Sequence, residues 1–276
     1  LMKGQIIKII SDLHIVSYNN EAIGCKCRGR FRMKKTIPQV GDYVIFDKEK
    51  KIIEEILPRK NTFKRPCVSN IDQAFLITSL KTPDFSLNLL DKLIVLMELH
   101  KVTPIICITK SDLVDSNEMS KINEVLEYYR NIGYTVVFNY ELDKIEDMLS
   151  NKTSVFTGQT GAGKSTLLNK LNPNWNLETG EVSIALGRGR HTTRVVELFE
   201  FGDGKVLDTP GFSALDLYEY SDADIRDAFI EFRHYPCIYN DCMHKKEEEC
   251  MVKKAVNDNN IIKSRYDNYL KFIERK

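Results

Sequence analysis

Between residues 4 and 58 the apolar residues come in short alternating or β-branched runs, GQIIKIISDLHIVSY, EAIGCKCRGRFR, VGDYVIFD and KKIIEEIL, punctuated by turn-like NNE and PQVGD. Period-two alternation is what a strand with one buried face requires, so residues 1–58 predict a small all-β barrel. LPRKNTFKRP follows, with two prolines and four basic residues, and predicts a linker over 59–69. From residue 70 the pattern changes to apolar runs separated by helix-length segments. IDQAFLITS, VTPIICIT, YTVVFNY and TSVFTG alternate with expected helices near 87–100, 117–130 and 142–149. That alternation predicts an α/β unit over 70–220, a parallel sheet flanked by helices. A helix at 164–171 and the hairpin-like VVELFEFGDGKVLDT continue it. Residues 221–276 read as a small, charged helical unit, whose last helix is expected to present Ile262, Tyr266, Leu270 and Ile273 on one face.

The strongest chemical signal sits after the fourth of those strands. Gly158, Gly163, Lys164 and Ser165 satisfy G-x-x-x-x-G-K-[ST], within the stretch Gly158, Gln159, Thr160, Gly161, Ala162, Gly163, Lys164, Ser165, Thr166. Glycines let successive N–H groups turn inward on phosphate oxygens, and the following helix adds its positive end. Lys164 is expected on the β and γ phosphates and the Ser165 hydroxyl on Mg²⁺. DTPG ends a later apolar strand, placing Asp208 to reach the Mg²⁺ through water and the Gly211 N–H to sense the γ-phosphate. GRGRHTTR, residues 187–194, lies between them, and Thr192 or Thr193 is the candidate to complete the Mg²⁺ shell.

No base-reading signature follows DTPG, but TKSD precedes the loop: Thr109, Lys110, Ser111 and Asp112 close the strand VTPIICI. A carboxylate at Asp112 accepts two hydrogen bonds from the N1–H and 2-amino group of guanine, whereas adenine leaves it unpaired. Lys110 lays its aliphatic stem along the base. The flanking loop is expected near residues 138–141. Base reader, phosphate loop, threonine loop, DTPG is the order of a circularly permuted GTPase, which is physically reasonable because domain termini often lie close together. Thr109 stands where GTPases at large usually have Asn, and it is expected not to span to the phosphate loop.

Composition narrows the setting. The chain is 276 residues, 42% hydrophobic and 29% charged, with no membrane-length apolar run, so a globular cytoplasmic protein with no membrane contact is expected. Leu1 ahead of Met2 reads as an appended residue, and no signal peptide is expected. The net charge of +1 hides a segregation: residues 1–66 carry 15 Lys and Arg against 7 Asp and Glu, and residues 67–220 carry 14 against 21. The basic barrel, with Lys26, Arg28, Arg30, Arg32, Lys34 and Lys35 around Phe31, suits an RNA backbone and a stacked base. Seven cysteines, an odd count unevenly placed, argue for a reducing compartment. Cys25 and Cys27, two apart in a strand with no nearby His, read as structural. Cys237, Cys242, His244 and Cys250 form C-x4-C-x-H-x5-C, a donor set for tetrahedral Zn²⁺.

The basic barrel, the permuted motifs, GRGRHTTR and this cysteine spacing together resemble the bacterial ribosome small subunit-dependent GTPase A family over nearly the whole chain. The resemblance implies an OB-fold barrel and a C-terminal zinc domain. It further implies a monomeric GTPase that acts late in 30S subunit maturation on 16S rRNA, its turnover stimulated by the subunit. Phe212 directly follows DTPG, where many GTPases carry a water-orienting Gln. Slow intrinsic hydrolysis is therefore expected, with His191 the candidate to guide the water when the partner binds. Two competing functions are a P-loop ATPase or kinase, and an RNA-binding zinc module with a structural nucleotide site.

Overall fold

The computed structural model describes residues 1–19, 21–28, 37–64, 66–175, 177, 196–208 and 216–274. The first run divides at Ser11, which adopts a left-handed φ of 57°, into β1 (Met2–Ile10) and β2 (Leu13–Tyr18). With β3 (Glu21–Cys27), β4 (Tyr43–Asp47) and β5 (Ile52–Ile56) they pair in the order β1-β2-β3-β5-β4, and β4 returns to β1. Only β3 and β5 are parallel. This is the five-stranded, closed connectivity of an OB-fold. Its interior is Ile6, Val16, Ile23, Cys25, Val44, Phe46 and Ile53, the alternate residues of each strand. One expectation is corrected here: Cys25 and Cys27 do have a His nearby. His14 lies opposite Cys25 in the β2–β3 register, with Nδ1 3.8 Å from Cys27 Sγ, because strand pairing joins residues eleven apart in sequence.

The segment expected to be a linker carries a short hairpin, β6 (Thr62–Phe63) with β7 (Val68–Ser69). Phe63 and Val68 are fully buried, so it is packed rather than free-running. Asp42 ties it to the barrel: its carboxylate accepts from Arg59 Nε at 2.7 Å, Ser69 Oγ at 2.6 Å and Gln39 N at 2.8 Å. Gly41 beside it has φ +95° and would carry a Cβ 2.0 Å from the Ser69 carbonyl oxygen, so no side chain fits.

The α/β unit follows as β8 (Gln73–Ser79), α1 (Leu87–Leu99), β9 (Thr103–Thr109), α2 (Ser116–Asn131), β10 (Thr135–Phe138) and α3 (Leu142–Leu149). Next come β11 (Thr153–Gly158), α4 (Lys164–Leu171), β12 (Glu197–Phe201) and β13 (Gly204–Asp208). Ser86 and Asp115 cap α1 and α2 by accepting from Leu89 N and Glu118 N. The sheet order is β10-β9-β8-β11-β13-β12, parallel except for β12. β8, β9 and β11 are buried almost throughout, as central strands covered on both faces must be. α3 and α4 cover one face through Ile145, Leu149, Leu167 and Leu171. α1 and α2 cover the other. β12 also pairs antiparallel with β1 through Lys8 and Glu197, which form an ion pair, so barrel and sheet are continuous.

The C-terminal unit holds α5 (Asp222–Asp227), α6 (Met251–Asn257) and α7 (Lys263–Glu274). Its apolar residues, including Phe229, Phe232, Val252 and Tyr269, join the same core as α1. The face of α7 departs from expectation: Arg265, Asn268, Tyr269, Phe272 and Ile273 are buried, while Ile262, Tyr266 and Leu270 are only half-buried. The helix is turned to bring Arg265 into a fully buried cluster. Its guanidinium donates to Asp91 Oδ1 on α1 at 2.7 Å and to Glu231 Oε1 at 2.7 Å, and it lies 4.4 Å over the Phe229 ring. Burial pushes the Asp91 carboxyl up. The hydrogen bonds it accepts from Tyr129, Asn268 and Arg265 pull the other way. One guanidinium is thus shared between two carboxyl groups.

Candidate nucleotide and metal sites

The phosphate-loop motif follows β11, the strand between β8 and β13, and TKSD follows β9, two strands away, so both open on the carboxyl edge of the sheet. Gly158 has φ +154°, and a Cβ there would lie 2.2 Å from the Ile77 carbonyl oxygen of β8, which only glycine avoids. Gly163 is the left-handed residue at the start of α4, with no side chain capping the helix. The first-turn N–H groups are therefore left to a ligand. Lys164 Nζ donates to the carbonyls of Gly158 at 3.0 Å and Gln159 at 3.2 Å, folding back over its own loop. Burial lowers its pKa, and phosphate anions arriving beside it would favour the charged form again. Ser165 and Thr166 lie in the first turn of α4, and Gln159 and Thr160 are exposed at the mouth.

The two motifs touch. Thr109 Oγ1 donates to the Ala162 carbonyl at 2.6 Å, and Lys110 Nζ donates to Gly161 O at 2.8 Å. The expectation that Thr109 falls short of the phosphate loop is thus corrected. Gly163 and Thr109 approach closely enough, 3.8 Å from a built Cβ, that a short hydroxyl suffices. Lys110 takes a left-handed φ of 57°, which throws the chain into a tight helical turn, Ser111–Leu113, with Asp112 exposed on it. Lys110 Nζ also donates to the Thr82 carbonyl, and Pro83 Cδ stands 3.7 Å from where a Gly161 Cβ would be. The loop after β8 thus borders the site. Nothing in its sequence marks it, since it contributes backbone. The loop at 138–141 lies beside TKSD as expected: Asn139 N donates to Ile108 O at 2.9 Å, and the Glu141 carboxylate accepts from Phe138 N at 2.6 Å. Asp208 ends β13, beside β11. His191, Thr192, Thr193 and Gly211 lie outside the described residues.

Cys237, Cys242, His244 and Cys250 converge. His244 Nδ1 lies 3.3 Å from Cys242 Sγ, 3.3 Å from Cys250 Sγ and 3.6 Å from Cys237 Sγ, and the four donor atoms all fall within 4.8 Å. A tetrahedral cation bound at about 2.0–2.3 Å would space such donors by roughly 3.5–3.8 Å, so the set fits a metal centre. His244 reaches its position through a left-handed φ of 55°, with its carbonyl accepting from Tyr266 OH of α7. Cys250 caps α6, accepting from Lys253 N at 3.4 Å; burial pushes its thiol up and that hydrogen bond only partly offsets it.

Comparison with known proteins agrees with this geometry. A family model described as RsgA GTPase matches residues 56–218, and one for the RsgA N-terminal domain matches residues 3–52. The chain is 46% identical to a small ribosomal subunit biogenesis GTPase RsgA of Streptococcus agalactiae serotype V, covering 99% of this chain and 94% of that protein. It is 44% identical to the RsgA 2 protein of Oceanobacillus iheyensis, covering 99% and 97%. Among solved structures, YloQ, described as a circularly permuted GTPase, superposes with a TM-score of 0.85 at 37% identity, covering 99% of this chain and 94% of that one. YjeQ from Thermotoga maritima gives 0.86 at 32%, covering 99% and 97%.

Proposed function

The chain belongs to the RsgA GTPase family, and from that premise we propose that it binds the small ribosomal subunit and assists its late maturation, hydrolysing GTP to GDP and phosphate. The observation that carries this is the direct clasp of Thr109 and Lys110 on Ala162 and Gly161, which makes one site of a base reader and a phosphate loop. Asp112 reads guanine, Thr109, Lys110 and Ser111 frame the base, residues 158–166 and the Gly211 N–H hold the phosphates, and Asp208 would reach the Mg²⁺ through water. Lys164 neutralises charge on the β and γ oxygens. Ser165 and Thr193 would hold Mg²⁺, which supplies further positive charge to those oxygens. His191 orients the attacking water once the subunit engages, because Phe212 has no polar group to do so. The barrel, through Lys26, Arg28 and the basic residues that follow, meets 16S rRNA. The protein works as a monomer in the cytoplasm; among the described residues no helix is long and apolar enough to cross a membrane.

Cys237, Cys242, His244 and Cys250 would hold one structural Zn²⁺, which would tie the loop 237–250 to α6. Burial pushes the Cys242 thiol up to about 12, so binding must expel its proton and weakens as pH falls. Stripping the metal with a chelator at neutral pH is expected to melt this unit first, lowering the thermal midpoint by about 5 °C, on the order of 3 kcal/mol. A midpoint unchanged while one equivalent of zinc is released, measured by atomic absorption, would contradict the assignment.

Permutation gives the nucleotide site two routes to the RNA-facing modules. β12, three residues beyond Arg194, pairs with barrel strand β1. Among the described residues the chain resumes at Asp216, and the hydroxyl of Tyr220 shares a 2.7 Å hydrogen bond with His100 Nε2. Phe63 of the hairpin stacks on that imidazole at 3.9 Å, and Lys64 pairs with Glu219 at 2.8 Å. Burial lowers the His100 pKa, keeping the ring neutral at pH 7. GTP therefore fixes barrel and C-terminal unit in the subunit-binding arrangement, and hydrolysis releases it. Co-sedimentation with small subunits should show tighter binding with a non-hydrolysable GTP analogue than with GDP. Equal binding would exclude the switch, since no differential affinity means no shift.

A further inference from the structure

Away from the nucleotide site, a cleft of about 510 Å³ opens between α2 and the C-terminal unit. Its walls include Glu124, Tyr128 and Asn131 of α2, Glu231 and His234 of the turn before the cysteine cluster, and Asn260 ahead of α7. Its volume is that of sites that enclose a small ligand or one or two side chains. Three features set its chemistry. Glu231 belongs to the buried Arg265 cluster, where it shares one guanidinium with Asp91 rather than holding it alone. Glu124 makes no ion pair among the described residues, whereas Glu127 beside it is held by Arg130 at 2.6 Å. The Tyr128 hydroxyl is buried without a hydrogen-bond partner among the described residues, an unmet acceptor and donor at a site where such groups are normally satisfied.

We propose that this cleft receives an arginine-bearing segment of a protein partner. A guanidinium suits it because the group offers five planar donors to carboxylate, amide and phenol oxygens, and it lies favourably on the Tyr128 and Tyr235 rings that line the cleft. The partner's class rests on the subunit-binding function above. A ribosomal surface presents RNA, a polyanion that an acidic cleft repels, and basic protein, which it attracts. The barrel carries the basic charge and the cleft the acidic, so the two ends of the molecule select the two components of one particle.

The test uses the full chain, a fluorescein-labelled hexa-arginine peptide and purified small subunits. Peptide anisotropy should report saturable binding to the wild type, weakened at least tenfold by Glu124→Arg and several-fold by Tyr128→Phe. Thermal midpoint and intrinsic GTP turnover should stay unchanged, since neither residue touches the nucleotide site. Co-sedimentation of Glu124→Arg with subunits should weaken likewise. Peptide binding indifferent to Glu124→Arg, or subunit binding tightened by it as RNA contact would require, overturns the proposal. Failure of the wild type to sediment with subunits would count against the subunit-binding function instead, and the peptide titration would still decide the chemistry of the cleft.

Discussion

Asp112→Asn is expected to lower GTP affinity about a thousandfold while leaving the fold intact. The carboxylate accepts from the guanine N1–H and 2-amino group, and hydrogen bonds to a charged partner contribute about 1.5–3 kcal/mol each. Asn keeps one acceptor but turns an NH₂ toward the 2-amino group, replacing an attraction by a clash of donors. Asp112 lies exposed on the tight turn after Lys110 and packs against nothing that an amide would disturb, so the melting midpoint should not move. The same amide suits xanthine, whose 2-oxo group accepts. Titration with fluorescent guanine, adenine and xanthine nucleotides checks this: preference should pass from guanine to xanthine, with adenine weak throughout. GTP affinity within threefold of the wild type would remove Asp112 as the base reader and reopen the ATPase alternative.

Arg265→Met should destabilise the protein by about 4 kcal/mol, because removing one member of a buried charge cluster strands the others. Asp91 and Glu231 would face each other with no cation among groups that are essentially inaccessible to water. α7 would lose its ion pairs to α1 and to the turn at 231, keeping only the Asn268 bonds to Asp91 and Asn88 as polar ties to α1. The double variant Arg265→Met with Glu231→Gln should recover part of the loss, since it buries one stranded charge fewer. Urea unfolding followed by circular dichroism measures both. A single-variant loss under about 1 kcal/mol, or additive losses in the double, would show that the cluster does not join the units.

The sequence displayed whatever local spacing encodes. The phosphate loop, TKSD and the cysteine cluster each declare themselves within fourteen residues or fewer, and the helix at 164–171 falls on the residues expected. Features made by distant segments were not legible. Thr109 appeared too short for the phosphate loop until β8, β9 and β11 set the distance, and His14 meets Cys27 only through strand pairing. The face expected from Ile262, Tyr266, Leu270 and Ile273 carried no sign of Arg265. Its burial follows from Asp91 and Glu231, 174 and 34 residues away, and that pairing rotated the buried face of α7. Thr82 acts through a carbonyl that every residue possesses, so its place beside Lys110 leaves no trace in residue type.

The central claim, that a permuted GTP site is coupled to the small ribosomal subunit, is tested most directly by phosphate release from GTP with and without purified small subunits. Slow turnover by the protein alone, raised at least tenfold by subunits and absent with ATP, is the predicted result. A rate unchanged by subunits, or equal for ATP and GTP, would contradict it.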